Sequence, residues 1–151
     1  MSIFNAINSS ASALTAQRLR MDVVSSNLSN AQTTRATINE NGDYEAYRRK
    51  MVTLEPKDTR FQSFLHKASN HSETGSGGVK VTNIVEDETP FKQVYHPAHP
   101  DANEEGYVQL PNVDPLKEMV DLMSATRSYE ANVTSLNASK NMLMKALEIG
   151  K

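Results

Sequence analysis

Two apolar stripes with heptad spacing, one at each end of the chain, constrain this sequence more than any other feature. From Ser2 to about Asn30, Ile7, Leu14, Met21 and Leu28 recur every seven residues, and Phe4, Ala11 and Val24 occupy flanking half-heptad positions. The spacing predicts a helix with Ser2 as its N-cap, about 40 Å long at roughly 1.5 Å per residue. At the other end, Asp114-Pro115 joins an N-cap to a proline at the first helical position. Beyond it Met119, Leu122, Thr126, Tyr129, Val133, Leu136, Lys140, Leu143 and Leu147 step by three or four residues, and Gly150 is the expected stop. This second helix should measure roughly 50 Å and carries the narrow seam of a coiled coil.

Each helix has more apolar surface than one partner can cover. Leu116, Val120 and Met123 form a second row near the start of the C-terminal helix, and Met142, Ala146 and Ile149 another near its end. Two such helices can bury each other's seams only by running antiparallel. The expected pairing sets Ile7, Leu14, Met21 and Leu28 against Leu122, Tyr129, Val133, Leu136 and Leu143. If the chain packs into a filament, Phe4, Ala11, Leu116, Val120 and Met123 are then left for other subunits. Periodicity alone leaves two readings open, a hairpin packed on its own middle domain and a subunit whose second face packs against other copies as in a filament; as a function, a coiled-coil adaptor or binding module is the alternative.

Between the helices the period changes to two. Tyr44 to Leu54 alternates and ends at Glu55-Pro56, Gly78 to Val85 reads as a second strand, Phe91 to Tyr95 as a third and Gly106 to Leu110 as a fourth. His66 to Gly78 is rich in Ser, Asn and Gly without an apolar period, which predicts a flexible loop at about 61–77. The expected fold class is α+β. An N-terminal axial helix spans 1–34, a small β-rich middle module 35–111, and a C-terminal axial helix 112–151.

Composition narrows the function. With 38 % apolar residues, 6 % aromatics and no Trp in 151 residues, the core is thin for a self-sufficient domain, so apolar surface from neighbours is expected to complete it. A net charge of -2 argues against nucleic acid, which selects a clustered basic surface. The run Tyr47-Arg48-Arg49-Lys50 is short and follows Asp43 and Glu45, so it reads as a solvated strand or as a match for an acidic patch on a partner. The absence of Cys excludes disulfides and thiolate chemistry. The first ten residues lack the basic and apolar regions of a cleavable signal peptide, and no stretch has the length of a lipid-spanning helix.

No catalytic constellation stands out. His96 and His99 are separated by Pro97 and followed by Pro100, which forbids the helix that would align them as metal ligands, so the segment reads as a turn. Gly75-Ser76-Gly77-Gly78 lacks the Lys-Ser/Thr pair of a phosphate loop. The carboxylate pairs Glu86/Glu88 and Glu104/Glu105 fall on polar turns without an apolar pocket to shift their titration. The reading is no enzyme, no metal and no cofactor.

The segment Leu14 to Thr34, which ends Ser26-Asn27-Leu28-Ser29-Asn30-Ala31-Gln32-Thr33-Thr34, resembles the N-terminal signature of the flagellar rod, hook and hook-associated axial proteins. Asn27, Asn30 and Thr33 stand at its motif positions; Asn30 suits a helix C-terminus, and Thr33 and Thr34 can hydrogen-bond the following turn. Further along, Val94-Tyr95-His96-Pro97, His99-Pro100-Asp101-Ala102, Glu105 to Val113 and Glu118 to Val133 form an ordered series that is similar to the proximal-rod members of this family. Ser29 stands where the family usually has Ala, and Thr37 to Asp43 replaces a shorter Gly-rich turn.

The resemblance implies a non-catalytic structural subunit of the proximal rod, exported through the flagellar type III apparatus without a cleaved signal and assembled in the periplasmic space. Its implied partners are further copies of itself, the rod proteins FlgB, FlgF and FliE, and the export apparatus. Its implied role is to pack by its terminal helices into the shaft that carries torque from motor to hook.

Overall fold

The computed structural model describes residues 3–39, 42–57 and 78–149. Two long helices, α1 (Ile3–Ser29) and α2 (Pro115–Ile149), bracket six short strands: β1 (Thr37–Ile38), β2 (Tyr44–Glu45), β3 (Lys50–Pro56), β4 (Val79–Glu86), β5 (Lys92–Tyr95) and β6 (Tyr107–Leu110). The strands pair as three ribbons, β1 with β2, β3 with β4 and β5 with β6. The class is α+β. None of the described helices is long and apolar enough to cross a membrane.

Local chemistry sets the helix ends. The Asp114 carboxylate accepts from the Leu116 backbone N–H at 3.1 Å, an N-cap that satisfies one of the first-turn donors. At the end of α1, Asn30 donates from its backbone N–H and its side chain to the Ser26 carbonyl at 3.1 and 2.9 Å. Thr33 then closes the turn, its N–H donating to the Asn30 carbonyl and its hydroxyl to Asn30 Oδ1. Inside the helices Thr15, Ser29, Thr134 and Ser139 donate their hydroxyls to the carbonyl four residues back. That contact lets helices so rich in hydroxyls keep their polar groups paired.

One strand differs from its expected extent. The alternation over Tyr44 to Leu54 predicts a single strand, but residues 46–49 separate β2 from β3. Backbone groups there are drawn elsewhere: the Tyr47 N–H donates to the Thr33 carbonyl at 3.1 Å, and the Arg49 N–H donates to Asn112 Oδ1 at 2.8 Å. Ala46 and Tyr47 are buried, so the solvated strand expected for 47–50 is corrected as well. The loop at about 61–77 and the stop at Gly150 lie outside the described residues.

The chain divides into two compact units. The first comprises 1–19, 53–83 and 124–151. Its anchor is Ser12 on α1, whose hydroxyl donates to the Ser9 carbonyl at 2.7 Å and accepts from the Val79 N–H at 3.0 Å. Gly78 adopts φ +84°, and a Cβ there would stand 2.2 Å from Ser12 Oγ, so only glycine fits this approach of strand to helix. Its buried residues include the small side chains Ala16, Ala125 and Ser139.

The second unit comprises 20–52 and 84–123. Its core includes Val23, Val24, Ala46, Tyr47, Val108, Pro111 and Val113, together with two fully buried polar side chains, Asn27 and Glu118. β5 and β6 pair antiparallel with Val94 opposite Val108 and Tyr95 opposite Tyr107. The two tyrosine rings meet edge to face at 5.4 Å.

Candidate functional site

The second unit holds a network of paired charges and amides built from α1, the 46–49 segment, the end of β4 and α2. Asn27 is its centre. Asn27 Nδ2 donates to the Lys50 carbonyl at 2.8 Å and to Glu118 Oε2 at 3.0 Å; Asn27 Oδ1 accepts from the Lys50 N–H at 2.9 Å and from the Tyr47 hydroxyl at 3.0 Å. Two donors and two lone pairs are thus all used, the full capacity of an amide side chain. Full use is what burial demands, because an unpaired polar group in the interior is costly.

Glu118 is also fully shut off from solvent. Its other oxygen accepts from Arg49 Nε at 2.6 Å. Arg49 reaches Asp87 at 3.5 Å and Asp121 at 3.6 Å, and Arg20 on α1 pairs with Asp121 at 3.2 Å. Burial pulls the Arg49 pKa down, but its hydrogen bonds to Glu118 and Asp87 outweigh that and raise it above the ordinary value. Asp87 is held below the ordinary carboxylate range, first by the Thr89 N–H, then by the Thr89 side chain, with Arg49 adding to both. Asn112 ties the cluster to the loop after β4 by donating to the Asp87 and Thr89 carbonyls.

These contacts also fix direction. Asn27 meets Glu118, while Arg20, seven residues earlier on α1, meets Asp121, three residues later on α2. Within this unit the two helix segments therefore run antiparallel.

A second cluster joins the turn after α1 to the β5–β6 connection. Asp101 accepts from Thr34 Oγ1 at 2.8 Å and from Arg35 Nε at 2.6 Å. The Arg35 bond, then the Thr34 bond, lower the Asp101 pKa. Arg35 also lies over the Tyr44 ring at 5.1 Å. His96 and His99 stand in the same connection, their rings edge to face at 5.9 Å, and His99 Nδ1 accepts the Asp101 N–H. Among the described residues no group of three or more His, Asp or Glu is placed to hold a metal ion.

Of the apolar residues singled out by periodicity, Val24 is buried, Met142, Ala146, Leu147 and Ile149 are exposed, and the residues expected in the helix seams and on the outer face fall into two sets. Ile7, Leu14, Met21, Leu28, Leu122, Tyr129, Val133, Leu136 and Leu143 are half-buried. Phe4, Ala11, Leu116, Val120 and Met123 are exposed, Leu116 to 72 % and Val120 and Met123 each to 56 %. Met119, assigned by spacing to the inner seam, is exposed beside them. Leu116, Met119, Val120 and Met123 therefore form one i, i+3, i+4, i+7 row on the outer side of α2. Of the motif residues, Asn27 lies at the centre of the buried network, and Asn30 and Thr33 build the turn after α1. No sequence pattern joins Arg49, Glu118, Asp87, Asp121 and Asn112: Arg49 reads as part of a basic run, and a lone Glu in the first turn of a helix as ordinary dipole compensation.

Residues 7–37 match the family described as Flagella basal body rod protein, and residues 104–149 match that described as Flagellar basal body rod FlgEFG protein C-terminal. Among similar proteins, the flagellar basal-body rod protein FlgC of Bacillus subtilis (strain 168) is 63 % identical, with 100 % of both chains covered. The FlgC of Borreliella burgdorferi is 42 % identical over 99 % of this chain and 98 % of its own, and that of Escherichia coli O6:H1 is 40 % identical over 100 % of both. With the match running from end to end, this chain belongs to the FlgC family of flagellar basal-body rod proteins.

Proposed function

We propose that this chain, a structural rod subunit of the flagellar basal body, assembles through the outward row of α2 and the exposed residues near the start of α1. The observation that carries this reading is an inversion of the usual helix pattern. In the first turns of α2 the charged Glu118 faces the interior, while Leu116, Met119, Val120 and Met123 face water. A contiguous apolar row on a soluble subunit is an interaction surface, and contacts between unlike faces along an open helical path build a rod.

The partners on this reading are further copies of the chain and neighbouring rod proteins of the FlgB, FlgF and FliE kind. The route is export through the flagellar type III apparatus to the periplasmic side. The role is to carry torque through close-packed terminal helices, segments 1–34 and 112–151, with no catalysis. Close packing is the physical source of the stiffness a shaft needs.

Complementation of a gene deletion by Val120→Asp tests the reading. The variant should be synthesised and exported, keep the helix content of the free subunit, and fail to form rods. Normal motility with Val120→Asp would show that the outward row is not an assembly face.

A further inference from the structure

The second unit carries an open cavity of about 410 Å³. Asp22, Val23 and Ser26 of α1 line it, with Lys50 at the start of β3 and Ile84 and Glu86 at the end of β4. Its size falls in the range of binding clefts, roughly 300–1,000 Å³. The lining sets two apolar side chains beside two carboxylates, Asp22 and Glu86, neither of which makes an ion pair among the described residues. Lys50 Nζ, on the same lining, lies over the Tyr47 ring at 5.9 Å.

Helix geometry sets this cavity and the outward row of α2 on opposite sides of the helix pair in this unit. On α1, Arg20 and Asn27 face α2, where they meet Asp121 and Glu118. At roughly 100° per residue, Asp22 and Ser26 stand about 200° and 240° around α1 from Arg20. By the same count Leu116 and Val120 stand about 200° around α2 from Glu118. A row and a cavity that face opposite ways cannot cover one another within one chain. Shape and charge match them between chains. Leu116, Met119, Val120 and Met123 are an apolar strip on a convex helix, bordered by exposed Lys117. Met side chains are unbranched and polarizable, so they adapt to an irregular cavity. Lys117 also makes no ion pair among the described residues. A cation brought to two unpaired carboxylates fixes register and suppresses wrong partners.

We infer that the cavity receives the outward row of a second copy of this chain, with Lys117 of one copy set against Asp22 and Glu86 of the next. Because the two faces are unlike and opposed, each pair leaves one of each open. The contact then repeats along an open path and does not close on a dimer. The inference rests on the outward row being an assembly face, and it names the surface that the row meets.

A chain without Cys lets paired substitutions report the contact. Ser26→Cys places a thiol in the cavity and Val120→Cys one in the row. Rods are isolated from cells in which the Ser26→Cys/Val120→Cys chain complements a gene deletion, then oxidised and separated without reductant. A disulfide needs Cα atoms within about 7 Å of one another. The expected result is a ladder at multiples of the chain mass, which reduction collapses and neither single variant gives. Monomer alone from motile cells would overturn the inference, and so would an equal yield of dimer from a single variant, since like faces would then meet.

Carbodiimide treatment of wild-type rods gives a second reading that holds if the double variant does not assemble. It joins a Lys amine to a carboxylate as an amide with loss of water. The expected product has twice the chain mass and contains a peptide linking Lys117 to Asp22 or Glu86. Absence of that peptide, or Lys117 joined to a different protein, would overturn the inference. Loss of rods in Val120→Asp without a link to the cavity in either experiment would keep the row as an assembly face and discard the cavity as its receptor.

Discussion

Asn27 of α1 and Glu118 of α2 meet at 3.0 Å with both side chains fully buried, although they stand 91 positions apart in the chain. Removing the amide takes a partner from the Lys50 N–H and carbonyl and from one oxygen of Glu118, and leaves the Tyr47 hydroxyl with Ser26 Oγ at 3.4 Å. Asn27→Ala should therefore destabilise the protein by about 3 kcal/mol, at the upper end for a buried group left unpaired. Asn30→Ala removes two side-chain bonds at a half-buried helix end and should cost about 1 kcal/mol. Urea unfolding of the two variants gives the comparison; equal shifts in midpoint would mean that the Asn27 contacts are not formed in solution.

The titration of Asp87 carries a sign. Its folded pKa is lowered by the Thr89 bonds and by Arg49. Such a group contributes stability above its unfolded value, near 3.8, and that contribution is lost as pH falls through the folded value. The wild type should thus lose more stability than Asp87→Asn between pH 5 and the most acid pH at which both still fold, roughly pH 3. Thermal melts at both pH values check it, and parallel losses would remove Asp87 from the acid response.

Backbone geometry separates two glycines. Gly42 (φ +87°) has open space where a Cβ would stand, whereas at Gly106 (φ +82°) a Cβ would lie 2.9 Å from the Tyr95 ring and 3.2 Å from Pro97. Gly42→Ala should cost about 1 kcal/mol for the left-handed backbone alone. Gly106→Ala adds displacement of the Tyr95–Tyr107 pair and should cost about 1 kcal/mol more. Near-ultraviolet circular dichroism supplies a second readout, since only Gly106→Ala should change the tyrosine signal.

The long helices were legible because their seven-residue spacing and the Asp114-Pro115 start are local signals. The expected pairs of seam residues were read from geometry alone, and their half-buried state is a finding about each residue, not about its partner. The strand over Tyr44 to Leu54 was misread because Thr33 and Asn112, which draw the backbone of 47–49 out of the ladder, are remote in sequence. The network escaped for the same reason. Arg49 looks like part of a basic run until Glu118, 69 residues on, is seen beside it. Asn27 was marked as a motif position, but a motif says nothing of which four groups its amide will satisfy. Met119 reads as inner seam because a three-or-four step fits two adjacent stripes equally well.

The seam and the outer row of α2 should respond differently to charge. Leu136 is half-buried in the first unit, so Leu136→Asp places a carboxylate where a side chain is partly withdrawn from water and should destabilise the folded chain by about 2 kcal/mol. Val120 is mostly in water, so Val120→Asp should change the stability of the free subunit by no more than about 0.5 kcal/mol. Both variants should fail to support motility, for different reasons: the first because the folded chain is weakened, the second because the finished surface is wrong. Circular dichroism of each purified variant beside a motility assay and an immunoblot separates the two. A motile strain carrying Leu136→Asp at normal protein level would mean that Leu136 faces no packed surface in the rod. A Val120→Asp subunit that melts as early as Leu136→Asp would mean that Val120 is already packed within the chain, and the outward row would lose its standing as an interface.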